Sequence, residues 1–398
     1  MSTVIWPFSP NWRQGVVDQR EFRTDIAVTR SGKEQRRSLR STPRRSLEFS
    51  CLIHGSRLRE FVRFMDRQQN KDILMPDWVS YATLASDHPA GAGTAVLVST
   101  APAWMLPGTE VLLFSEMRQE RRIVQTVSGT SVTFTFAGEA WSAGTKIYRA
   151  LPGLLPLEVT AGMPTNQVLS VPVTFTVNVG ALPQEPFPVA PISTSGFEVF
   201  TRTPNWGESV QSLFTFPISI VDYGRGRTQN YRPVDFGTTT RRGTFYGLSR
   251  SDADALVSTF YRAKGRRGEF FMPTGLPDMD LKITIAANNP LMRVEGREIF
   301  DAYAGEQVHR GVAVTLLNGQ TYYRTVNGFT LITNGGATDT LLQLADGFPI
   351  NISPADVLRI SWMPRHRFGS DTIRISWLTD EIAEVPMAFV SLEALPGT

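Results

Sequence analysis

Ser56–Pro76 reads SRLREFVRFMDRQQNKDILMP, and Ser251–Pro273 reads SDADALVSTFYRAKGRRGEFFMP. Leu58, Phe61, Val62 and Met65 fall at i, i+3, i+4 and i+7, and Ala253, Leu256, Val257 and Phe260 repeat that spacing. Each quartet lies on one face of a short amphipathic helix. Ser56 and Ser251 stand where N-caps belong, with Asp254 completing a capping box behind Ser251. A basic polar turn follows each helix (Arg67–Asp72, Arg262–Gly268), then an apolar strand ending in Met-Pro.

The match extends outward from these helices. Pro10-Asn11-Trp12 returns as Pro204-Asn205-Trp206, Arg44-Arg45 as Arg241-Arg242, and Met75-Pro76 as Met272-Pro273. Val171-Pro172-Val173-Thr174-Phe175 returns as Val385-Pro386-Met387-Ala388-Phe389. A period near half the chain is too long for a solenoid and reads as a tandem duplication. The units are residues 1–179 and 197–398, joined by Gly180–Gly196 (GALPQEPFPVAPISTSG), whose prolines favour an extended connector.

Each unit carries an insertion of short apolar runs between Gly-containing turns. In the first, about Gly91–Ala150, the runs are Ala95–Ser99, Val111–Phe114, Arg121–Val127, Val132–Phe136 and Lys146–Ala150. In the second, about Glu306–Trp362, they are Val312–Leu317, Gln320–Val326, Thr330–Thr333, Thr340–Ala345 and Val357–Trp362. Five short strands at such spacing predict a small barrel or sandwich. The fold class expected is mainly β (α+β): two β-sandwich units, each with one short helix and one inserted β-module.

Arg30–Arg45 holds Arg30, Lys33, Arg36, Arg37, Arg40, Arg44 and Arg45 against the single acid Glu34. The plain reading is a solvated charged loop; the sharper one is an arm contacting a neighbouring subunit or a polyanion. The second unit keeps Arg225, Arg227, Arg232, Arg241 and Arg242.

Composition narrows the function classes. The 398 residues include 32 Gly and 26 Pro, as a turn-rich β protein needs, and the formal charge of +3 does not mark the whole surface for nucleic acid. A lone Cys51 builds no disulfide framework, and neither a membrane-length apolar run nor a signal peptide is recognisable, so an intracellular product is expected. His54, His88, His309 and His366 lie far apart, and the chain has no GxGxxG, P-loop, HExxH, CxxC or GxSxG. Asp278 and Asp280 are the one close carboxylate pair, with a turn role the simpler reading; Trp12, Trp78 and Trp206 suit a core better than a sugar platform. No enzyme, metal or cofactor is expected.

Lys264–Leu281 (KGRRGEFFMPTGLPDMDL), Lys71–Trp78 (KDILMPDW) and the closing Arg367–Leu392 (RFGSDTIRISWLTDEIAEVPMAFVSL) resemble the distal tail, or baseplate hub, proteins of siphoviruses and gene transfer agents. The resemblance implies a tail-tube-like fold, a place in the virion at the tail tip, and synthesis in the bacterial cytoplasm. Implied partners are further copies of the chain, the tail tube, hub and tape measure proteins, and tail fibres, with DNA passing through the lumen. Relatives with one such domain form six-membered rings. Two units per chain suggest a trimeric pseudo-hexamer, the other arrangement being six chains in two stacked rings. Arg36, Arg37, Arg40, Arg44, Arg45, Arg225, Arg227, Arg241 and Arg242 are then candidates for subunit contact. A different class, carbohydrate receptor binding by the inserted modules, stands as the alternative.

Overall fold

The computed structural model describes residues 4–29, 33–67, 72–135, 138–178, 180, 190–215, 218–224, 226, 228–231, 237–305, 310–334 and 337–392. Arg225, Arg227, Arg232, most of the Pro-rich connector and most of the turn after the first helix lie outside the described residues. The protein is mainly β, about half strand and a tenth helix. The first half contains β1 (Val4–Ile5), β2 (Val16–Glu21), β3 (Thr24–Val28), β4 (Glu34–Ser38), β5 (Arg44–His54), α1 (Arg57–Arg67), β6 (Ile73–Thr83), β7 (Thr94–Val96), β8 (Glu110–Phe114), β9 (Gln119–Ser128), β10 (Ser131–Phe134), β11 (Lys146–Leu154), β12 (Gly162–Thr165) and β13 (Val168–Val177). After them come β14 (Ser193–Thr194), β15 (Phe197–Glu198), β16 (Gln211–Thr215), β17 (Ser219–Asp222), β18 (Thr228–Tyr231), β19 (Thr238–Gly247), α2 (Arg250–Ala263), β20 (Phe270–Phe271), β21 (Leu291–Val294), α3 (Glu298–Tyr303), β22 (Gly311–Leu316), β23 (Thr321–Asn334), β24 (Ala337–Leu344), β25 (Val357–Trp362), β26 (Arg365–Phe368), β27 (Thr372–Trp377) and β28 (Ala383–Ser391).

The central sheet runs β12–β13–β5–β2–β27–β28–β19–β16, antiparallel throughout. Its four-strand order occurs twice, register included. Val17 opposes Glu48 as Gln211 opposes Arg242, and Pro172 opposes Ser50 as Pro386 opposes Thr244. Strand β1 lies parallel to β6 with Ile5 opposite Leu74, and Val199 bridges Phe271 in the same sense.

Side chains alternate across these strands, so one face is apolar. Val16, Leu47, Phe49, Val173, Phe175, Phe245, Ile375, Val385 and Phe389 face inward and pack with Phe61 of α1 and Leu256 and Phe260 of α2. These residues form a single cluster across both halves. Pairing of β2 with β27 joins the two halves through one core.

Helix phases match the expected stripe with one exception. Leu58, Phe61 and Met65 pack on the core, as do Ala253, Leu256, Val257 and Phe260, but Val62 is 55% exposed. Phe64 takes its place, edge-on to Trp6 and Phe8. The cap of α2 also moves. Ser249, not Ser251, is the N-cap, accepting from Asp252 N and donating its hydroxyl to Asp252 Oδ2 at 2.9 Å. Extended backbone ends at Ser249 (φ −141°, ψ 163°), so the helix starts two residues earlier than a cap at Ser251 implies.

The inserted modules are rings of strands. In the first, β6–β11–β8–β9–β10–β7 closes through a bridge between Leu84 and Leu97. The second orders β25–β22–β23–β24–β21 in the same way, and bridges Met279–Ile360 and Leu281–Val294 complete its circuit. Each circuit has its own apolar core, around Trp104 and Trp141 in one and Phe348 and Trp362 in the other. Both begin before the expected boundaries of residues 91 and 306, because β6 and Met279–Val294 supply wall strands. Strand β23 replaces two expected strands, with a register shift between Val326 and Gly328.

Candidate assembly interface

The strongest candidate for function is the seam between the two halves, because the fold builds one complete copy of it and, among the described residues, leaves two edges of the same kind without a partner strand. Strand β2 lies along β27 from Val16 opposite Trp377 to Glu21 opposite Thr372. Beneath it is a buried charge cluster. Arg45 forks onto Asp18 (Nε–Oδ1 and Nη2–Oδ2, both 3.0 Å) and onto Asp77 (Nη1–Oδ2 and Nη2–Oδ1, both 2.9 Å). Arg20 adds a 2.8 Å bond to Asp18 and donates to the Tyr261 hydroxyl of α2 at 3.2 Å. Burial alone would raise the Asp18 pKa, but the guanidiniums of Arg20 and Arg45 outweigh it and hold the carboxyl far below the usual range.

The β3–β4 hairpin then folds over the second half. Arg367 grips Glu34 with two bonds of 2.8 Å, and Arg36 reaches Glu269 at 3.6 Å. The Asp371 carboxylate accepts from Thr24 N (2.7 Å), Thr24 Oγ1 (2.8 Å) and Arg266 N (2.9 Å). Phe22 sits 5.6 Å from each of Phe260 and Tyr261. Desolvation works against the charge of Glu34, yet the bonds from Arg367 keep its pKa below that of a free carboxyl.

The second half builds the counterparts β16 and β17–β18. Ser219 opposes Tyr231 as Asp25 opposes Arg37, so the hairpin register is also repeated. Yet every residue of β16, β17 and β18 is exposed, with Phe214 at 65% and Ile220 at 66%. At the opposite end of the sheet, all four residues of β12 are exposed, as is Leu157 (95%) in the stretch that leads into it. Among the described residues neither β16 nor β12 has a second partner strand, and an unpaired edge with apolar side chains invites another strand.

Where β13, β5, β2 and β27 meet, the sheet face turned away from the core is mostly polar. Gln19, Ser46 and Thr176 share it, as do Val17, Glu48, Thr174 and Ser376. Glu21 stands opposite Arg44, and Arg374 Nη2 bonds Glu48 at 2.8 Å. Charges of both signs alternate along this face.

No family model matches the chain, and no curated protein is significantly similar to it.

The arginines singled out by the sequence separate into two groups. Arg36 pairs with Glu34 and Glu269, Arg40 with Glu21 at 3.2 Å, and Arg37, Arg44 and Arg242 are exposed. Arg45 is a correction: β5 carries it into the core, so it cannot reach another subunit. Arg241 is half-buried and donates to the carbonyls of Pro273 and Thr274. The pairing of Arg44-Arg45 with Arg241-Arg242 is corrected too. Thr240 opposes Val390, which makes Thr238-Thr239 the counterparts of Arg44-Arg45 and places Arg241 where Leu47 stands. Identical dipeptides had matched across a register difference of three residues.

Among the chemistry-bearing residues, Asp278 accepts from Trp362 N at 2.8 Å and from the Thr274 hydroxyl, while Asp280 is exposed. Trp78 is buried in the core and Trp206 is exposed. His88 contacts Arg122 at 2.6 Å in the first barrel, where burial and that cation lower its pKa. Among the described residues no three His, Cys, Asp or Glu gather as a metal site, and no helix is long and apolar enough to cross a membrane. Sequence reasoning missed Asp371, Glu269, Arg367 and the two open edges. The available signal was the placement of Gln211–Thr215, which follows Asn205-Trp206 as β2 follows Asn11-Trp12.

Proposed function

We propose that the chain is a structural protein of a phage tail tip, assembling into a ring around the channel through which DNA leaves. In this reading the chain is a tandem duplication of one tail-tube-like unit, residues 1–179 and 197–398, and three copies supply six units. The observation that carries the proposal is the β2–β27 seam. It joins one four-strand repeat to the next in a way that further copies can continue, and both sheet ends are left open for that continuation. A closed sheet hides its edges. The polar face, with Glu48 paired to Arg374 and Glu21 opposite Arg44, suits a wall that a polyanion passes without being held.

The role is assembly and conduction rather than turnover, with tail tube, hub and tape measure proteins as neighbours and the two inserted barrels available to fibres. Deleting the gene from a strain that produces the particles tests this. The expected result is DNA-filled heads whose tails are missing or lack the tip, with the protein found in the tail fraction of wild-type particles. Complete, infectious tails from the deletion strain would reject the role.

A further inference from the structure

The internal seam fixes, residue by residue, what the two open edges can pair with. Gln211 holds the place of Val17, since they oppose Arg242 and Glu48 at equivalent points of β19 and β5. Gly162 holds the place of Ser376: it opposes Ser170, as Ser376 opposes Glu384, and these two lie at equivalent points of β13 and β28. Val17 and Ser376 face each other in the seam.

We propose that Gln211–Thr215 of one copy pairs antiparallel with Glu158–Gly162 of a second copy, Gln211 opposite Gly162, Leu213 opposite Thr160 and Thr215 opposite Glu158. The β17–β18 hairpin then lies over the first half of that second copy, as β3–β4 lies over the second half of its own chain. The inference rests on the ring reading only for the presence of a second copy.

Three observations favour this occupant over a different protein. The two edges are opposite ends of one sheet, so joining them repeats a junction the chain already makes. Both edges are apolar where they are exposed: Leu213, Phe214, Ile220, Val221 and Tyr223 on one, Leu154, Leu157 and Met163 on the other. Glu158–Ala161 belong to no strand, although their counterparts Thr372–Ile375 in β27 are fully paired with β2. Contacts between unlike ends are heterologous and close into a ring when the rotation permits.

Disulfide trapping tests the register. Directly opposed residues of antiparallel strands have Cα atoms about 4.5–5.5 Å apart, within disulfide reach. Leu213 and Thr160 are exposed, and the single native thiol, Cys51, is buried and does not compete. The full-length double variant L213C/T160C, mildly oxidised, is expected to give a non-reducing ladder ending in a covalently closed species. The slipped pair L213C/A161C, whose thiols point to opposite faces, is expected to link several-fold less. Equal or better linking of the slipped pair overturns the register. Rings seen by native mass spectrometry with no linking in either variant overturn the register while leaving the ring standing. A chain that stays monomeric at every concentration overturns both.

Discussion

At the scale of single residues, Arg45 shows how far burial changes the meaning of a charge. It ends a basic run and reads as part of a contact arm, yet β5 turns it inward between Asp18 and Asp77. Removing one partner of a buried ionic cluster costs about 3–5 kcal/mol; without Arg45, Asp77 stays buried and loses both of its guanidinium bonds, while Arg20 remains on Asp18. Arg45→Met is therefore expected to lower stability by that order, read from the denaturant midpoint; a loss under about 1 kcal/mol would contradict the cluster. The pH dependence follows from Asp18. Its folded pKa is depressed, so its contribution is fully present above the unfolded value of about 3.9 and fades as pH falls below it. Asp18→Asn should flatten that acid limb, measured as the unfolding free energy between pH 5 and pH 2. Cys51 gives a third expectation. Burial pushes its thiol up to about 12, so a thiol reagent at pH 8 should label it only after unfolding, and rapid labelling of the native chain would refute the packing of β5. The burial of Cys51 follows from its place in an alternating apolar strand, but the roles of Arg45 and Asp18 were not legible from the residues alone, since they depend on strand pairs far apart in sequence.

At the scale of elements, much was legible because periodicity and turn chemistry are local. The apolar spacing located both helices, and the insertion strands of the first module fall close to β7–β11. What failed were features settled by geometry rather than pattern. The cap of α2 is Ser249 because extended backbone gives way to helix directly after it, and Val62 lies outside the core while Phe64 packs on Trp6 and Phe8. Ser249→Ala is expected to cost about 0.5–2 kcal/mol, seen as a lower unfolding midpoint, whereas Ser251→Ala should change little. Equal effects would contradict the cap. The edge strand gives an assembly prediction. Lysine at Leu213 and Phe214 places charge on an open edge, the device by which natural sheets resist pairing. The double variant should keep the monomer's unfolding midpoint and lose the higher oligomer in sedimentation velocity.

At the scale of the whole molecule, the repeated strand order was foreshadowed in sequence because recurring pieces such as Asn-Trp and Met-Pro keep their order. The fusion of the halves was not, because β2 and β27 share no recognisable motif and meet across most of the chain. The chain carries one junction internally; in the proposed ring, the edges at the two ends of its sheet form the next. The mass and symmetry of the purified protein, by native mass spectrometry with electron-microscopy class averages, bear on this directly. A trimer whose averages show six similar lobes around a channel is the expected result. A stable monomer, or a two-fold dimer with like edges paired, would contradict the head-to-tail ring.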